Sequence, residues 1–143
     1  MHKTIKNLMD KEHRRIDFLL EEFEKVLNKD LKKAKELFSK FSWNLEKHFY
    51  IEEKVIFTIY NSPKNEDDDL DELLKEHKEI QWELKKIKEN LENNAKINIL
   101  KLKTFLKSHS KFEDEIFYPK LDENLSPSEK EIIIDRAEEE IKS

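Results

Sequence analysis

Hydrophobic residues along the chain recur by threes and fours, the spacing of one face of an α-helix, in four long stretches and one short one. Ile5, Met9, Ile16, Leu20, Phe23 and Leu27 mark a first helix. Asn28 to Asp30 break it, with Asp30 placed to cap a second helix that runs to about Tyr60. The polar run N-S-P-K-N-E-D-D-D, with Pro63 and its acids, ends that helix and opens a third at its positive end, from about Leu70 to Leu91. After E-N-N-A the pattern predicts a fourth helix from about Ile97 to Tyr118, stopped by Pro119. S-P-S-E then sets Ser126 as N-cap, Pro127 at the first helical position and Glu129 as capping-box acid, for a short amphipathic helix to Ile141. Short connections make the long helices antiparallel neighbours. The expected fold is all-α: an antiparallel up-down-up-down four-helix bundle over 1–120 with a C-terminal capping helix over 126–142, in a single domain of 1–143.

The chain also repeats itself. E-H-R-R-I-D-F-L-L at 12–20 resembles E-H-K-E-I-Q-W-E-L at 76–84, and L-E-K-H-F-Y-I-E-E-K-V-I-F at 45–57 resembles L-K-S-H-S-K-F-E-D-E-I-F-Y at 106–118. Two copies of a helical hairpin would be related by an approximate two-fold axis, and groups placed alike in both would meet near it.

Composition narrows the chemistry. Glycine is absent and 43% of residues are charged, which suits long helices rather than sheets. With no cysteine the chain offers no disulfide, thiolate zinc site or iron–sulfur cluster. The 33 acids are interleaved with 28 bases, so no face is basic enough to hold nucleic acid. No window has the length of a membrane span and the N-terminus lacks a signal-peptide core, so no membrane partner is expected and the cytoplasm is the expected compartment.

The helix stripes themselves carry polar residues. The first reads Ile5, Met9, His13, Ile16, Leu20, Phe23; the second Phe41, Leu45, His48, Glu52, Val55, Ile59. The third reads Leu70, Leu73, His77, Ile80, Leu84, Ile87; the fourth Ile99, Leu102, Leu106, His109, Glu113, Ile116. Four of the five histidines and two glutamates therefore face the bundle axis, while His2 lies in the first turn at the surface. A buried carboxylate needs a compensating charge. His and Glu at i and i+4 share a face and can ligate one ion or adjacent ions. Six such ligands exceed the tetrahedral set of one zinc and suit two ions, two histidines on each and both glutamates bridging. Nitrogen and oxygen donors without sulfur favour iron, as a non-haem pair with an oxo or hydroxo bridge; manganese or zinc fits the same cage. Glu53 and Asp114 are read as solvated or supporting residues, and Phe41, Phe49, Phe112 and Phe117 as core that walls the site from water. Trp43 and Trp82 carry no separate signal.

One histidine on each of helices one and three, with H-x-x-x-E on two and four and the words H-F-x-x-E-E and H-x-x-x-E-D-x-I-F-Y-P, resembles the hemerythrin-like HHE cation-binding family over about 1–120. The resemblance implies His13, His48, Glu52, His77, His109 and Glu113 as ligands of a di-iron centre that binds O2 or NO. Oxygen-carrying hemerythrins have a fifth histidine, in H-x-x-x-H on helix three, where this chain has Leu73 and Gln81 around His77. The four-histidine, two-glutamate set is more similar to di-iron proteins of iron–sulfur-cluster repair, which usually add a cysteine-bearing module, and to iron-sensing hemerythrin domains. A ferritin-like E-x-x-H reading fails, because Asp10, Leu45, Leu74 and Leu106 stand where its glutamates belong, and a bis-histidine haem leaves both glutamates unexplained. Sensing, scavenging or storage of a small diatomic ligand is the leading expectation. An alternative is a stress-response enzyme, peroxidase or nitric oxide reductase in type, with Asp17 and Gln81 positioning protons; another is a metal-responsive interaction domain that docks its fifth helix on a protein partner.

Overall fold

The computed structural model describes residues 3–60 and 67–143, and these are helical throughout apart from short connections. Helix α1 spans Ile5–Val26 and α2 spans Leu31–Ile51. A five-residue π-helical turn, Glu52–Ile56, joins α2 to α3, Phe57–Tyr60. After α4, Asp68–Glu92, the chain repeats that construction: α5, Leu100–Phe112, a π turn over Glu113–Phe117, and α6, Tyr118–Asn124. Helix α7, Pro127–Lys142, completes the fold. The α1 helix packs on α2 and α6, α2 on α4, and α4 on α5, which closes the predicted four-rod bundle. None of the described helices is long and apolar enough to cross a membrane.

The capping chemistry follows the sequence. Asp30 accepts from the Lys33 amide, and Ser126 and Glu129 complete the capping box of α7. The α1 N-terminus gains a long-range cap: Asp122 on α6 accepts from the amides of Ile5 and Lys6, each at 3.0 Å. In place of glycine, Asn28 and Asn94 take the left-handed conformation after α1 and α4, at φ 61° and 55°. The Pro63 expected to break the second helix lies outside the described residues.

Three expectations are corrected by the π turns and the start of α5. Pro119 does not stop the fourth rod, which continues to Asn124. A proline ring clashes with the carbonyl four residues back, and the wide turn immediately before Pro119 opens that contact. The extra residue in each π turn also shifts the stripe by one position. Phe117 is buried, as read, but Ile116 is 53% exposed where the stripe put it inside; in the second rod Val55, Ile56 and Tyr60 are buried while Ile59 is only partly so. Finally, Ile97 and Ile99 are buried in the connection that precedes α5 rather than inside the helix.

Two apolar clusters fill the bundle. One, built around Phe23, Phe38, Phe41, Leu84 and Leu102, occupies the end with the α1–α2 and α4–α5 connections. The other, around Met9, Ile56, Leu73, Phe117 and Tyr118, occupies the opposite end and takes in Ile133, Ile134 and Ala137 of α7. The fifth helix thus packs on its own bundle, with Lys47 donating to the Ile141 carbonyl at 3.2 Å and Lys3 paired to Glu138.

Candidate metal centre

Between the apolar clusters lies a polar layer. His13, His48, Glu52, His77, His109 and Glu113 are all buried, and both glutamates are fully so. Each H-x-x-x-E word begins in α-helix and ends on the first residue of a π turn, so the Glu52 and Glu113 carbonyls accept from the Phe57 and Tyr118 amides five residues on. This brings all six side chains, which sequence spacing put on one axis, into one cage.

The histidines share an orientation. Every Nε2 points inward: His13 Nε2 is 3.0 Å from His48 Nε2 and 3.2 Å from Glu113 Oε1. His109 Nε2 is 3.3 Å from Glu113 Oε1. Glu52 Oε1 lies 3.1 Å from His77 Nε2 and 3.3 Å from His48 Nε2. The Nδ1 atoms face outward, where His13 donates to Asp114 at 2.9 Å, His77 to Glu53 at 2.8 Å and His109 to Glu76 at 2.6 Å. Carboxylates in this position fix the tautomer and ring angle of a metal-ligating histidine and raise its basicity. His48 Nδ1 alone among the four has no partner among the described residues.

Aromatic rings enclose one side of the layer. Phe49 stacks on His77 with centroids 4.0 Å apart and Phe57 stacks at 6.0 Å. The buried Tyr118 donates its hydroxyl to Glu52 Oε2.

The titrating groups of the layer are shifted in opposite directions. Burial pushes both carboxyls up, but the surrounding imidazoles hold Glu52 well below the usual range, whereas the Glu52 charge keeps Glu113 raised. Burial works against charged imidazoles, and it takes His48 down to about 3. At His13 and His109 the adjacent carboxylates overcome it and lift the rings to about 10 and about 12.

Both Glu113 oxygens and His109 Nε2 are buried without a hydrogen bond among the described residues. Such atoms cost about 1–3 kcal/mol each if left unpaired, and a cation would satisfy them together. Two ring nitrogens ligating one ion at about 2.1 Å each, at a right angle, stand about 3.0 Å apart, which is the His13–His48 separation. Candidate ligand atoms fall into two sets, each within 4.8 Å: Glu52, His77, His109 and Glu113 in one, His13, His48 and Glu113 in the other. The residues present therefore fit metal ions.

A family model describing the hemerythrin HHE cation-binding domain matches residues 4–121. The chain belongs to that family. Its match takes in all of the fourth rod but the last turn of α6 and leaves α7 outside. Comparison with curated proteins and with solved structures finds no match.

Residues around this hemerythrin-family cage divide in an instructive way. Glu53 and Asp114 do support the histidines, as the reading of them as neighbours of the ligands allowed. Gln81 instead donates to Glu46 at the surface, and Asp17 is exposed in a groove beside Asp114. Glu76 and Tyr118 were given no role by the sequence. Glu76 had a signal, the word E-H at both 12–13 and 76–77. Tyr118 stands in the word H-x-x-x-E-D-x-I-F-Y-P, but its reach across to Glu52 on the other hairpin is a tertiary fact.

Proposed function

We propose that the chain is a non-haem di-iron protein of the four-histidine, two-glutamate type. His13, His48, Glu52, His77, His109 and Glu113 hold two irons and present them to a small diatomic ligand, O2 or NO, for sensing, scavenging or transient storage. The observation that carries this reading is Glu113: a fully buried carboxylate with neither oxygen hydrogen-bonded among the described residues, its Oε1 between the Nε2 atoms of His13 and His109, and shared by two sets of candidate ligand atoms. Iron suits the donor set, since six nitrogen and oxygen ligands exceed a tetrahedral zinc site and four imidazoles disfavour calcium and magnesium. When bound, such a pair supplies one-electron chemistry and open coordination positions.

The chain's own groups do the rest. Asp114, Glu53 and Glu76 orient three imidazoles through Nδ1, Phe49 and Phe57 keep water from His77, and Tyr118 fixes the angle of Glu52. Gln81 is turned to Glu46, and Asp17 lines the groove beside Asp114.

Protein produced in iron-replete medium is expected to carry about two irons per chain and an absorption band that bleaches on reduction and returns reversibly with O2. A content near zero or one would overturn the di-iron reading, and recovery only with consumption of peroxide would assign the protein to catalysis instead.

A further inference from the structure

We infer that the groove between α4 and α5, on the outer face of the second hairpin, is the docking site of a small acidic one-electron carrier protein that returns oxidised iron in the cage to the ferrous state. The inference rests on the di-iron reading above and names a partner for it.

The groove has a volume of about 460 Å3, with Trp82 and Phe105 in its lining and Lys75, Lys78 and Lys101 around them. Trp82 is 58% exposed. Lys85 stands over the Trp82 ring and Lys101 over the Phe105 ring, each 5.7 Å from the centroid. Of the two acids in the lining, Glu83 is buried and already paired to Lys86 at 2.7 Å. Lys75, Lys78, Lys85 and Lys101 form no ion pair among the described residues, which leaves them facing Glu79 alone. The chain as a whole carries a net charge of -5, so the groove is a patch of opposite sign. Such a patch attracts an acidic surface and steers its approach. An exposed tryptophan ringed by lysines supplies the central anchor on which a small interface depends.

The first hairpin lacks this arrangement. Asn44 stands where the second hairpin has Phe105, and Arg15 where it has Glu79. Arg15 donates to Asn44 Oδ1 at 2.6 Å and so bridges the space between α1 and α2. Phe18, the counterpart of Trp82, is equally exposed at 57% but lies beside that bridged seam.

The position of the groove relative to the cage decides what its partner does. Phe105 is one turn before His109 on α5, and Lys75 and Glu79 share a turn of α4 with Glu76. Glu76 is partly exposed and accepts from His109 Nδ1 at 2.6 Å, so a hydrogen bond leads from the edge of the groove to a ligand of the cage. An iron left ferric must regain one electron, and these 143 residues include no thiol to give it. In each encounter the carrier is oxidised by one electron and one ferric ion becomes ferrous, so two encounters restore the pair. The lined stretch of α4, from Lys75 to Trp82, is only about 10 Å long. That length suits the small, transient interfaces of electron-transfer encounters rather than a permanent subunit contact. A second copy of this chain would set lysines against lysines.

Isothermal calorimetry of the metal-free full chain with an acidic [2Fe–2S] ferredoxin tests the docking without iron. Binding is expected at low salt and should weaken by at least about tenfold at about 0.5 M salt, where charges are screened within a few Å. Trp82→Ser, and Lys78→Glu combined with Lys101→Glu, should each weaken it by at least about tenfold. Phe18→Ser and Lys40→Glu, at the counterpart positions of the first hairpin, should leave it unchanged. With iron loaded, stopped-flow reduction by the ferredoxin should slow in the groove variants, while dithionite, which needs no docking, reduces them at the parent rate. Absence of binding at low salt, an equal loss in Phe18→Ser, or ferredoxin reduction indifferent to the groove variants would each overturn the docking site. Binding of single-stranded DNA or anionic vesicles at these residues in place of the ferredoxin would overturn it as well. In all of those cases an iron content of two per chain leaves the di-iron reading standing. Uptake of fewer than two irons would overturn that reading and this inference with it.

Discussion

At the scale of a single residue, Glu113 decides whether the layer is a metal site or a buried polar network. Its carboxyl is completely removed from water with neither oxygen hydrogen-bonded among the described residues, and burial and the Glu52 charge raise its proton affinity. A neutral isostere keeps the shape of the carboxyl group and matches the protonated form that burial and the Glu52 charge favour in the metal-free protein. Glu113→Gln is therefore expected to leave the melting temperature of the metal-free protein within a few degrees of the parent. The stabilisation gained on adding metal, about 4 kcal/mol at a thousandfold excess over Kd, should vanish in the variant. Calorimetry with and without added Fe(II) under anaerobic conditions reads both. An equal metal-induced rise in parent and variant would show that Glu113 is not a ligand. Asp114→Ala is a useful contrast: it removes only the acceptor of His13 Nδ1, so metal should bind, more weakly by about 10- to 100-fold.

At the scale of an element, the paired π turns are what periodicity could not disclose. The threes-and-fours pattern was sound up to Val55 in one rod and Glu113 in the other, and it failed at the next stripe positions, Ile59 and Ile116. Each wide turn inserts a position into a sequence whose polarity is ambiguous, since E-K-V-I-F and D-E-I-F-Y offer apolar residues to either register. The ligand words were legible because four residues of α-helix precede each turn; the stripe beyond them was not. Side-chain truncation distinguishes the registers. Ile116→Ser should change stability by no more than about 0.5 kcal/mol, as for an exposed site, whereas Phe117→Ala should cost about 3–5 kcal/mol by opening a cavity in the cluster with Phe57 and Tyr60. A regular α-helix would reverse that order, so urea midpoints of the two variants settle which residue faces the core.

At the scale of the whole molecule, the fold is two hairpins that share one cage and one knot at the far end. The repeat made the pairing of hairpins legible in the sequence, since matched histidines and glutamates have no reason to recur unless they meet. Illegible were the contacts that cross between hairpins, Tyr118 to Glu52 and the tie at Asn28; within the second hairpin, Glu76 to His109 left only the uninterpreted E-H word as its trace. The tie at Asn28 has two parts. Asn28 sits at φ 61° after α1, and its side-chain amide donates to the Ile97 carbonyl at 3.1 Å while its oxygen accepts from the Ile97 amide at 3.3 Å. One residue thus ends the first helix and fastens the α1–α2 connection to the α4–α5 connection, on the side of the apolar cluster away from α7. Asn28→Gly keeps the left-handed backbone and removes the tie, so a loss of about 1–2 kcal/mol is expected from the two hydrogen bonds. Asn28→Ala removes the tie and also forces a Cβ into the left-handed region, which adds about 1–2 kcal/mol. If both variants lose the same amount, the backbone conformation contributes nothing and the side chain alone joins the hairpins. If Asn28→Gly loses nothing, the two connections are held by the packing of Leu27, Ile97 and Ile99 without the amide. The expected ordering, parent above glycine above alanine in denaturant midpoint, would mean that the distance between hairpins is set at both ends, by the cage and by this knot.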